Sequence, residues 1–219
     1  MSTKIRQFIQ VFSGTSLIGI GISLNYLANL GLGPWGVFHD GLSKTLGISY
    51  GRTIIITGVA VMLLWIPLKQ KPGLGTIVDI FLVGIVADLI ILNFELSDSI
   101  FLSLTLIAFG IILIGAGTAI YVGADLGAGP RDGVMVGLET IGLKIGTARN
   151  LIELFAFLTG WLLRGLVGYV TILFVIGIGP VVQIVLPYVD MRKMIKFIIR
   201  EIFSSLISLF IFLLIMFYG

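Results

Sequence analysis

The residues with the most chemical potential in this chain are charged side chains placed inside long apolar stretches. Arg131 and Asp132 directly follow a proline in the segment 129–133, and Arg149 and Glu153 are four residues apart, on one face of a helix. An arginine can hold a carboxylate or a phosphate through two parallel hydrogen bonds, and an ionisable group inside a membrane is a functional candidate. These residues predict binding of a charged solute. The alternatives are that Arg131 extends to lipid headgroups and that Arg149 and Glu153 only neutralise each other.

Further candidates lie in the apolar segments on either side. Arg52 begins one such segment, and Asp79 and Asp88 are nine residues apart, on opposite faces of one helix, so we do not expect them to pair. We expect Asp79, Asp88 and Gln183 to face the interior of a helix bundle. The predicted substrate-binding residues are Gly33, Arg52, Gly129, Arg131, Asp132, Arg149, Glu153 and Gln183. The residues predicted to exchange a coupling proton are Glu153 and Asp88.

Several classes of chemistry are not expected. The chain has no cysteine and a single histidine, His39, so we predict no metal site, and we find no motif of a hydrolase and predict no enzyme activity. The segment 31–36 matches the pattern G-x-G-x-x-G, but an apolar helix precedes it where a dinucleotide site needs a strand. We therefore predict no cofactor and no nucleic-acid partner.

The composition is that of an integral membrane protein. Of the 219 residues, 58% are hydrophobic and 11% are charged, and the mean hydropathy is +1.15. A bilayer crossing takes about 20 apolar residues, which leaves room for about seven crossings and no soluble domain. The apolar run near the N-terminus also matches an internal segment, which we do not expect of a signal peptide.

One sequence pattern occurs twice, 96 residues apart. Gly31-Leu32-Gly33-Pro34 recurs as Gly127-Ala128-Gly129-Pro130, and residues 14–42 match residues 110–138 at 12 of 29 positions without a gap. A shared register over about 80 residues indicates an internal duplication. Beyond it, with one residue inserted in the second copy and a shorter later connection, the alignment pairs Ile48 with Ile145, Arg52 with Arg149, Gly75 with Gly168 and Phe81 with Phe174.

Each copy of the pattern predicts a helix break followed by a helix that begins at a proline. A helix that begins inside the protein at membrane depth presents unpaired amides and the positive end of its dipole, which suits an anionic group. The alternative is that these helices only lie at the membrane interface. The predicted crossings are residues 8–29, 50–68, 73–93, 100–123, 147–163, 167–189 and 197–218, with short helices at 34–46 and 130–142.

Positive charge predicts a cytoplasmic N-terminus, because Lys4, Lys69 and the cluster 192–200 then fall on the inner side, with the acidic loop 95–98 outside. Three crossings in each copy is an odd number, so the two copies have opposite orientations in the membrane. This arrangement is common among secondary transporters. The predicted divisions are a first repeat at 1–98, a second, inverted repeat at 99–190, and an added C-terminal transmembrane helix at 191–219.

The chain resembles the YczE/YyaS/YitT group of bacterial integral membrane proteins. The resemblance is carried by Gly127-Ala-Gly-Pro-Arg-Asp-Gly-Val-Met-Val-Gly-Leu138, by Arg149 with Glu153, and by Gly177-Ile-Gly-Pro180 followed by Gln183. The first-half segment 31–42 is similar, although Gly36 stands where an acidic residue matching Asp132 is expected. The resemblance implies a multi-pass protein of the bacterial cytoplasmic membrane, often presumed a transporter, and implies no particular substrate.

Together these patterns predict an all-α, polytopic transmembrane bundle of about seven spanning helices plus two short re-entrant or interfacial helices, arranged as an inverted repeat. The predicted function is secondary transport, by alternating access, of a small solute that the arginines would allow to be anionic. The alternative is a non-transporting scaffold or regulatory subunit of another complex. The expected partners are the small-molecule substrate and the lipid bilayer, and a homodimer is compatible with the sequence.

Overall fold

The computed structural model describes residues 3–168 and 170–191, and this part of the chain contains helices and no strand. The all-α class is thereby confirmed. The predicted last crossing, 197–218, lies outside the described residues. The helices are α1 (Thr3–Leu27), α2 (Pro34–Leu46), α3 (Tyr50–Leu63), α4 (Leu74–Ile91), α5 (Ile100–Gly123), α6 (Pro130–Thr140), α7 (Ile145–Leu162) and α8 (Val170–Val189).

The two short helices begin where the proline pattern places them. Pro34 and Pro130 are the first residues of α2 and α6, and the preceding Gly33 and Gly129 are extended, with φ near −60°. Proline suits this position because the first-turn amides of a helix have no helical acceptor. The predicted bounds of 34–46 and 100–123 agree with α2 and α5, whereas α6 ends at Thr140, two residues before the predicted end.

The two halves of the chain repeat the same unusual backbone conformations. Positive φ angles occur in pairs 95 or 96 residues apart, at Asn29 and Asp125, Gly31 and Gly127, Gly47 and Gly142, and Lys69 and Arg164. The first glycine of the proline pattern therefore has a positive φ angle in both halves. The local structures around the two helix breaks are equivalent.

The register of the repeat differs from the predicted one beyond the short helices. The turn at Gly47 corresponds to the turn at Gly142, and α3 and α7 begin three residues after them, so the second copy is one residue shorter, not one residue longer. Arg149 is therefore equivalent to Ile54, and the predicted equivalence of Arg52 with Arg149 is wrong. The cause is the segment from the proline to the turn glycine, which covers residues 34–47 in the first copy and residues 130–142, one residue fewer, in the second.

The centre of the fold is the crossing of α1 with its repeat equivalent, α5. Gly14 packs against the backbone at Gly117, and Gly21 packs against the backbone at Gly110, so the two helices are antiparallel. A Cβ at Gly14 or Gly21 would lie 2.7 Å from the opposing carbonyl oxygen, and only glycine allows this approach. Because Gly14 is equivalent to Gly110 and Gly21 to Gly117, the contact is reciprocal, as a two-fold axis produces.

The contacts of the remaining helices show the same two-fold relation between the halves. The α1–α4 contact has its counterpart in α5–α8, and the α2–α7 contact has its counterpart in α6–α3. The connections agree, since Thr76 Oγ1 donates to the Ala128 carbonyl and the equivalent Thr171 Oγ1 donates to the Leu32 carbonyl, both at 2.7 Å. Thr76 and Thr171 are 95 residues apart, so the predicted pairing of Gly75 with Gly168 and of Phe81 with Phe174 is also shifted by two positions. Each half thus packs its short helix against the other half.

Three helices of the described residues, α1, α4 and α5, are long and apolar enough to cross a membrane. The helices α2 and α3 meet at an angle of 109° and together form a fourth candidate, either a broken span or a re-entrant loop. The chain is therefore a helical membrane protein with three or four candidate spans in this region, against the six crossings predicted there.

Candidate functional site

A cavity of about 270 Å³ lies between the two halves. Its wall includes the N-terminal ends of both short helices, at Gly33-Pro34 and at Gly129-Pro130. The remaining wall comes from α1, α3, α4, α5, α7 and α8. Of the predicted substrate-binding residues, the cavity brings together Gly33, Gly129, Arg131, Asp132, Arg149 and Glu153.

The N-terminal end of α6 carries charges of both signs. The Oδ2 atoms of Asp132 and Asp79 lie 3.2 and 3.6 Å from the position that a Cβ atom on Gly129 would take, so both carboxylates face this glycine. Arg131 is close enough to interact electrostatically with Asp79 and with His39. Within the described residues, however, no ion pair within 4 Å involves Arg131, Asp79 or Asp132. Both signs of charge are therefore present here without direct pairing.

Trp65 fixes the position of this charged end. It lies just after α3, is 3% exposed, and its indole N–H donates to the Pro130 carbonyl at 2.8 Å. A Cβ atom on Gly133 would overlap the indole ring, so the first turn of α6 rests directly on Trp65. The first intrahelical hydrogen bond of α6 runs from Gly133 N–H to the Gly129 carbonyl, which leaves the amides of Arg131 and Asp132 without a helical acceptor.

The N-terminal end of α2 is aromatic instead. Trp35 and Tyr50 each have a ring about 6.0 Å from the ring of His39, and all three residues line the cavity. Phe174 on α8 packs against Gly33, and Asp79 faces Gly129 from the equivalent position on α4. The same place in the repeat is thus occupied by a phenyl ring at one end of the cavity and by a carboxylate at the other.

Four cavity-lining residues carry a buried polar atom without a hydrogen-bond partner among the described residues: Asn25 Oδ1, Trp35 Nε1, Thr57 Oγ1 and Tyr121 OH. Asn25 is 1% exposed and Tyr121 is 3% exposed, and they are equivalent residues of α1 and α5. An unpaired buried polar group costs about 1 to 3 kcal/mol, so proteins keep few of them away from functional sites. Their concentration around one cavity makes this cavity the candidate binding site of the protein.

Arg149 and Glu153 reach the cavity from α7, together with Asn150. Arg149 is exposed and Glu153 is half-buried. No ion pair within 4 Å joins the two side chains in the described part of the chain, although their spacing allows one. Their four-residue spacing puts both side chains on one face of α7, and this face lines the cavity.

Three predicted site residues lie elsewhere. Arg52 is exposed and does not line the cavity. The Asp88 carboxylate accepts hydrogen bonds from Ser49 Oγ at 2.5 Å and from Gly51 N–H at 2.6 Å, and so holds the start of α3. Gln183, which we expected to face the bundle interior, is exposed in the described structure. Asp88 and Gln183 are equivalent positions of the repeat, on the side of α4 and α8 away from the cavity.

The cavity also contains residues that the sequence did not single out for binding. Asp79, Tyr121, Asn25 and Thr57 have ordinary residue types and no motif, and only the three-dimensional structure brings them together. The gapless alignment already pairs Asn25 with Tyr121, two polar residues just before the helix breaks, and this pairing is the signal that could have found both. Among the described residues, no group of three or more histidine, aspartate or glutamate side chains could hold a metal ion.

These features define a class: a helical membrane protein with a partly polar cavity between two equivalent halves. Residues 5–187 match the model of DUF6198, a family of unknown function, and the chain belongs to this family. The suspected relationship to YczE and YyaS is confirmed by the relatives described next. No solved structure matches the chain.

Three bacterial relatives resemble the chain over most of its length. An uncharacterized protein of Haemophilus influenzae is 38% identical over 77% of this chain and 78% of its own length. The uncharacterized membrane protein YczE of Bacillus subtilis is 31% identical over 80% of this chain and 83% of its own. The uncharacterized protein YyaS of the same organism is 27% identical over 81% and 90%. Residues 5–187, which match the family model, include all of the cavity-lining residues.

Proposed function

We propose that the protein is a secondary transporter that moves a small solute through the cavity between its two halves. The observation that carries this proposal is the set of four unpartnered buried polar groups around one cavity that both helix breaks line. Binding sites of secondary transporters typically lie between repeats, at the ends of broken or short helices.

The repeats have opposite orientations in the membrane under this proposal. The argument is the antiparallel crossing of α1 with α5, because a two-fold axis between two antiparallel spanning helices lies in the membrane plane. The positions of the basic residues at the helix ends agree with this orientation. Gln7 Nε2 donates to the Ala124 carbonyl and Gly75 N–H donates to the Leu126 carbonyl, so three helix ends with nearby Lys4, Arg6, Lys69 and Lys71 share one side.

The opposite side carries the acidic loop. Ser97 N–H donates to the Leu27 carbonyl at 2.7 Å, which places residues 95–98 at the far end of α1. Because lysine and arginine concentrate in cytoplasmic loops, the N-terminus is cytoplasmic and the acidic loop is outside. The α2 end of the cavity then lies toward the outside and the α6 end toward the cytoplasm. The membrane is the bacterial cytoplasmic membrane, as the resemblance implies.

Alternating access follows from this arrangement. The α2 helix is held by α7 and the following connection, and α6 is held by α3, so a relative rotation of the halves would open one end of the cavity and close the other. Glu153 is the proton-exchange candidate that lines the cavity. Asp88 is not retained in this role, because its carboxylate is used at the start of α3.

The first experiment measures the melting temperature of the purified protein in detergent against a panel of anionic, cationic, zwitterionic and neutral metabolites. A ligand at a hundredfold excess over its Kd stabilises the native state by about 2.7 kcal/mol, which shifts the melt by several degrees. Compounds that bind are then tested for uptake into proteoliposomes. The expected result is a saturable uptake of at least one of them.

The matched variants are Arg149→Ala, Arg131→Ala and Arg52→Ala. The first two arginines line the cavity and Arg52 does not, so uptake should fall in the first two variants and persist in the third. Equal loss in all three would mean that the cavity is not the binding site. A folded protein that binds and transports nothing in the panel, and that is purified with a stable partner protein, would favour the scaffold function.

A further inference from the structure

The proposed transport function does not identify the solute, but the charges of the cavity wall restrict the chemical class of the solute. The wall contains two arginines, Arg131 and Arg149, and three carboxylates, Asp79, Asp132 and Glu153. Both signs of charge therefore line the cavity, and a purely anionic solute would lie beside the three acidic side chains. The arginines equally oppose a simple cation.

The two signs are held close together at one end of the cavity. Asp79 and Asp132 both face Gly129, Arg131 interacts electrostatically with Asp79, and none of the three is in an ion pair within the described residues. All three side chains are half-buried, and a charge that is partly removed from water is costly unless it is paired and hydrogen-bonded. A ligand with one positive and one negative group would pair both signs at once.

The neighbouring hydroxyl points to the same occupant. Tyr121 OH is buried, has no hydrogen-bond partner in the described structure, and lies close enough to Asp79 and Asp132 to interact with them electrostatically. It is thus an unused donor beside the charged end of α6, where the amides of Arg131 and Asp132 also lack helical acceptors. Together these groups offer several donors to a carboxylate and two acceptors to an ammonium group.

The other end of the cavity is suited to an apolar group. Trp35, Tyr50 and Phe174 line it, with His39 between the first two rings. A cavity of about 270 Å³ is smaller than the range of about 300 to 1,000 Å³ that holds drug-sized ligands. The size favours a small metabolite over a lipid or a peptide.

We propose that the solute is a small zwitterion of the amino-acid type with an apolar side chain. Its carboxylate binds Arg131 and the first-turn amides of α6, its ammonium group binds Asp79 and Asp132, and its side chain lies toward Trp35, Tyr50 and Phe174. This inference rests on the proposed transport function for its biological meaning, but binding can be measured without transport.

The test compares three forms of each of two amino acids, L-leucine and L-phenylalanine. The free amino acid has both charges, the amide has only the ammonium group, and the N-acetyl derivative has only the carboxylate. Ligand-induced shifts of the melting temperature give the affinities for the purified protein. We expect the free amino acid to bind at least about tenfold more tightly than either derivative, because each derivative leaves one sign of charge in the site unpaired.

The variants assign each charge to its partner. Asp79→Asn and Asp132→Asn should each weaken the binding of the free amino acid by about 10- to 100-fold and should not weaken that of the N-acetyl derivative. Arg131→Gln should abolish the preference for the free amino acid over its amide. Asp98→Asn and Arg52→Gln are exposed outside the cavity and should change neither preference.

Each other outcome overturns the inference. Equal or tighter binding of the N-acetyl derivative would make the cavity an anion site, and equal or tighter binding of the amide would make it a cation site. In both cases, transport through this cavity would still be supported if binding depended on Arg131 or on Asp79. If none of the six compounds shifts the melting temperature, the zwitterion proposal is contradicted. The transport proposal is contradicted only if, in addition, proteoliposomes take up no compound of the broader panel.

Discussion

Two threonines one turn apart on α3 provide a matched test of the cavity. Thr57 is 6% exposed, lines the cavity, and its hydroxyl has no hydrogen-bond partner among the described residues. Thr53 is fully buried outside the cavity wall, and its hydroxyl lies 2.6 Å from the Tyr50 carbonyl and 3.1 Å from the His39 carbonyl. The same substitution, threonine to valine, removes a used hydroxyl in one case and an unused one in the other.

The expected stabilities differ in direction. Thr53→Val loses a buried hydrogen bond, which is worth about 0.6 to 1.5 kcal/mol, and should lower the melting temperature by about 2 to 4 °C. Thr57→Val removes no protein hydrogen bond and ends the burial of an unpaired hydroxyl, so its melting temperature should be equal to or above that of the parent.

The expected affinities reverse this order. With the compound of the panel that stabilises the parent, Thr57→Val should weaken binding by about 3- to 10-fold, the value of one neutral hydrogen bond, and Thr53→Val should leave binding unchanged. Both quantities come from one series of melts in detergent at increasing ligand concentration. A Thr57→Val protein that melts as low as Thr53→Val, or that binds as tightly as the parent, would refute the claim that this hydroxyl is reserved for the ligand.

Three further predictions test the elements around the cavity. Gly133→Ala should lower the melting temperature by several degrees because its Cβ would overlap the Trp65 indole; in the Trp65→Phe background the added loss should be smaller, and strict additivity would contradict the contact. Asp40→Asn should destabilise the protein by about 1 to 3 kcal/mol, because the buried Asp40 carboxylate accepts from Leu166 N–H at 2.7 Å and pairs with Lys44 at 2.6 Å; Lys44→Met, which changes the more exposed partner, should cost less in the same melt. The chain contains no cysteine, so single cysteines report topology: in intact cells a membrane-impermeant maleimide should label Asp98→Cys, and it should label Lys71→Cys only after permeabilisation. The reverse labelling would contradict the proposed orientation.

The sequence was most informative where local chemistry decides the backbone. A proline after Gly-x-Gly suits the first position of a helix because it has no amide hydrogen to lose and its φ is fixed, and the structure begins α2 at Pro34 and α6 at Pro130. The apolar run 100–123 became α5 with the same bounds. The repeat of Gly14 and Gly21 as Gly110 and Gly117 was also visible and favoured the close approach of a neighbouring helix, but only the structure shows that the two glycine pairs pack against each other.

The register of the later helices could not be obtained from the same reasoning. Apolar helices offer many nearly equal alignments, and the identity of Arg52 with Arg149 favoured an insertion where the structure has a deletion. The segment between the proline and the turn glycine is one residue shorter in the second copy, and this difference sets the register of the later helices. It also separates Arg52, which does not line the cavity, from Arg149, which does.

By itself, the sequence determined the membrane class, the helical composition, the duplication and the two helix breaks, because each depends on residue types over short stretches of chain. The tertiary structure decided which polar residues share a cavity, because that depends on how α1 crosses α5 and on which face each helix turns toward the other half. Asp79 and Asp88 illustrate the difference. They are two aspartates of one apolar helix, and only the packing of that helix sends Asp79 to the cavity and Asp88 to the start of α3.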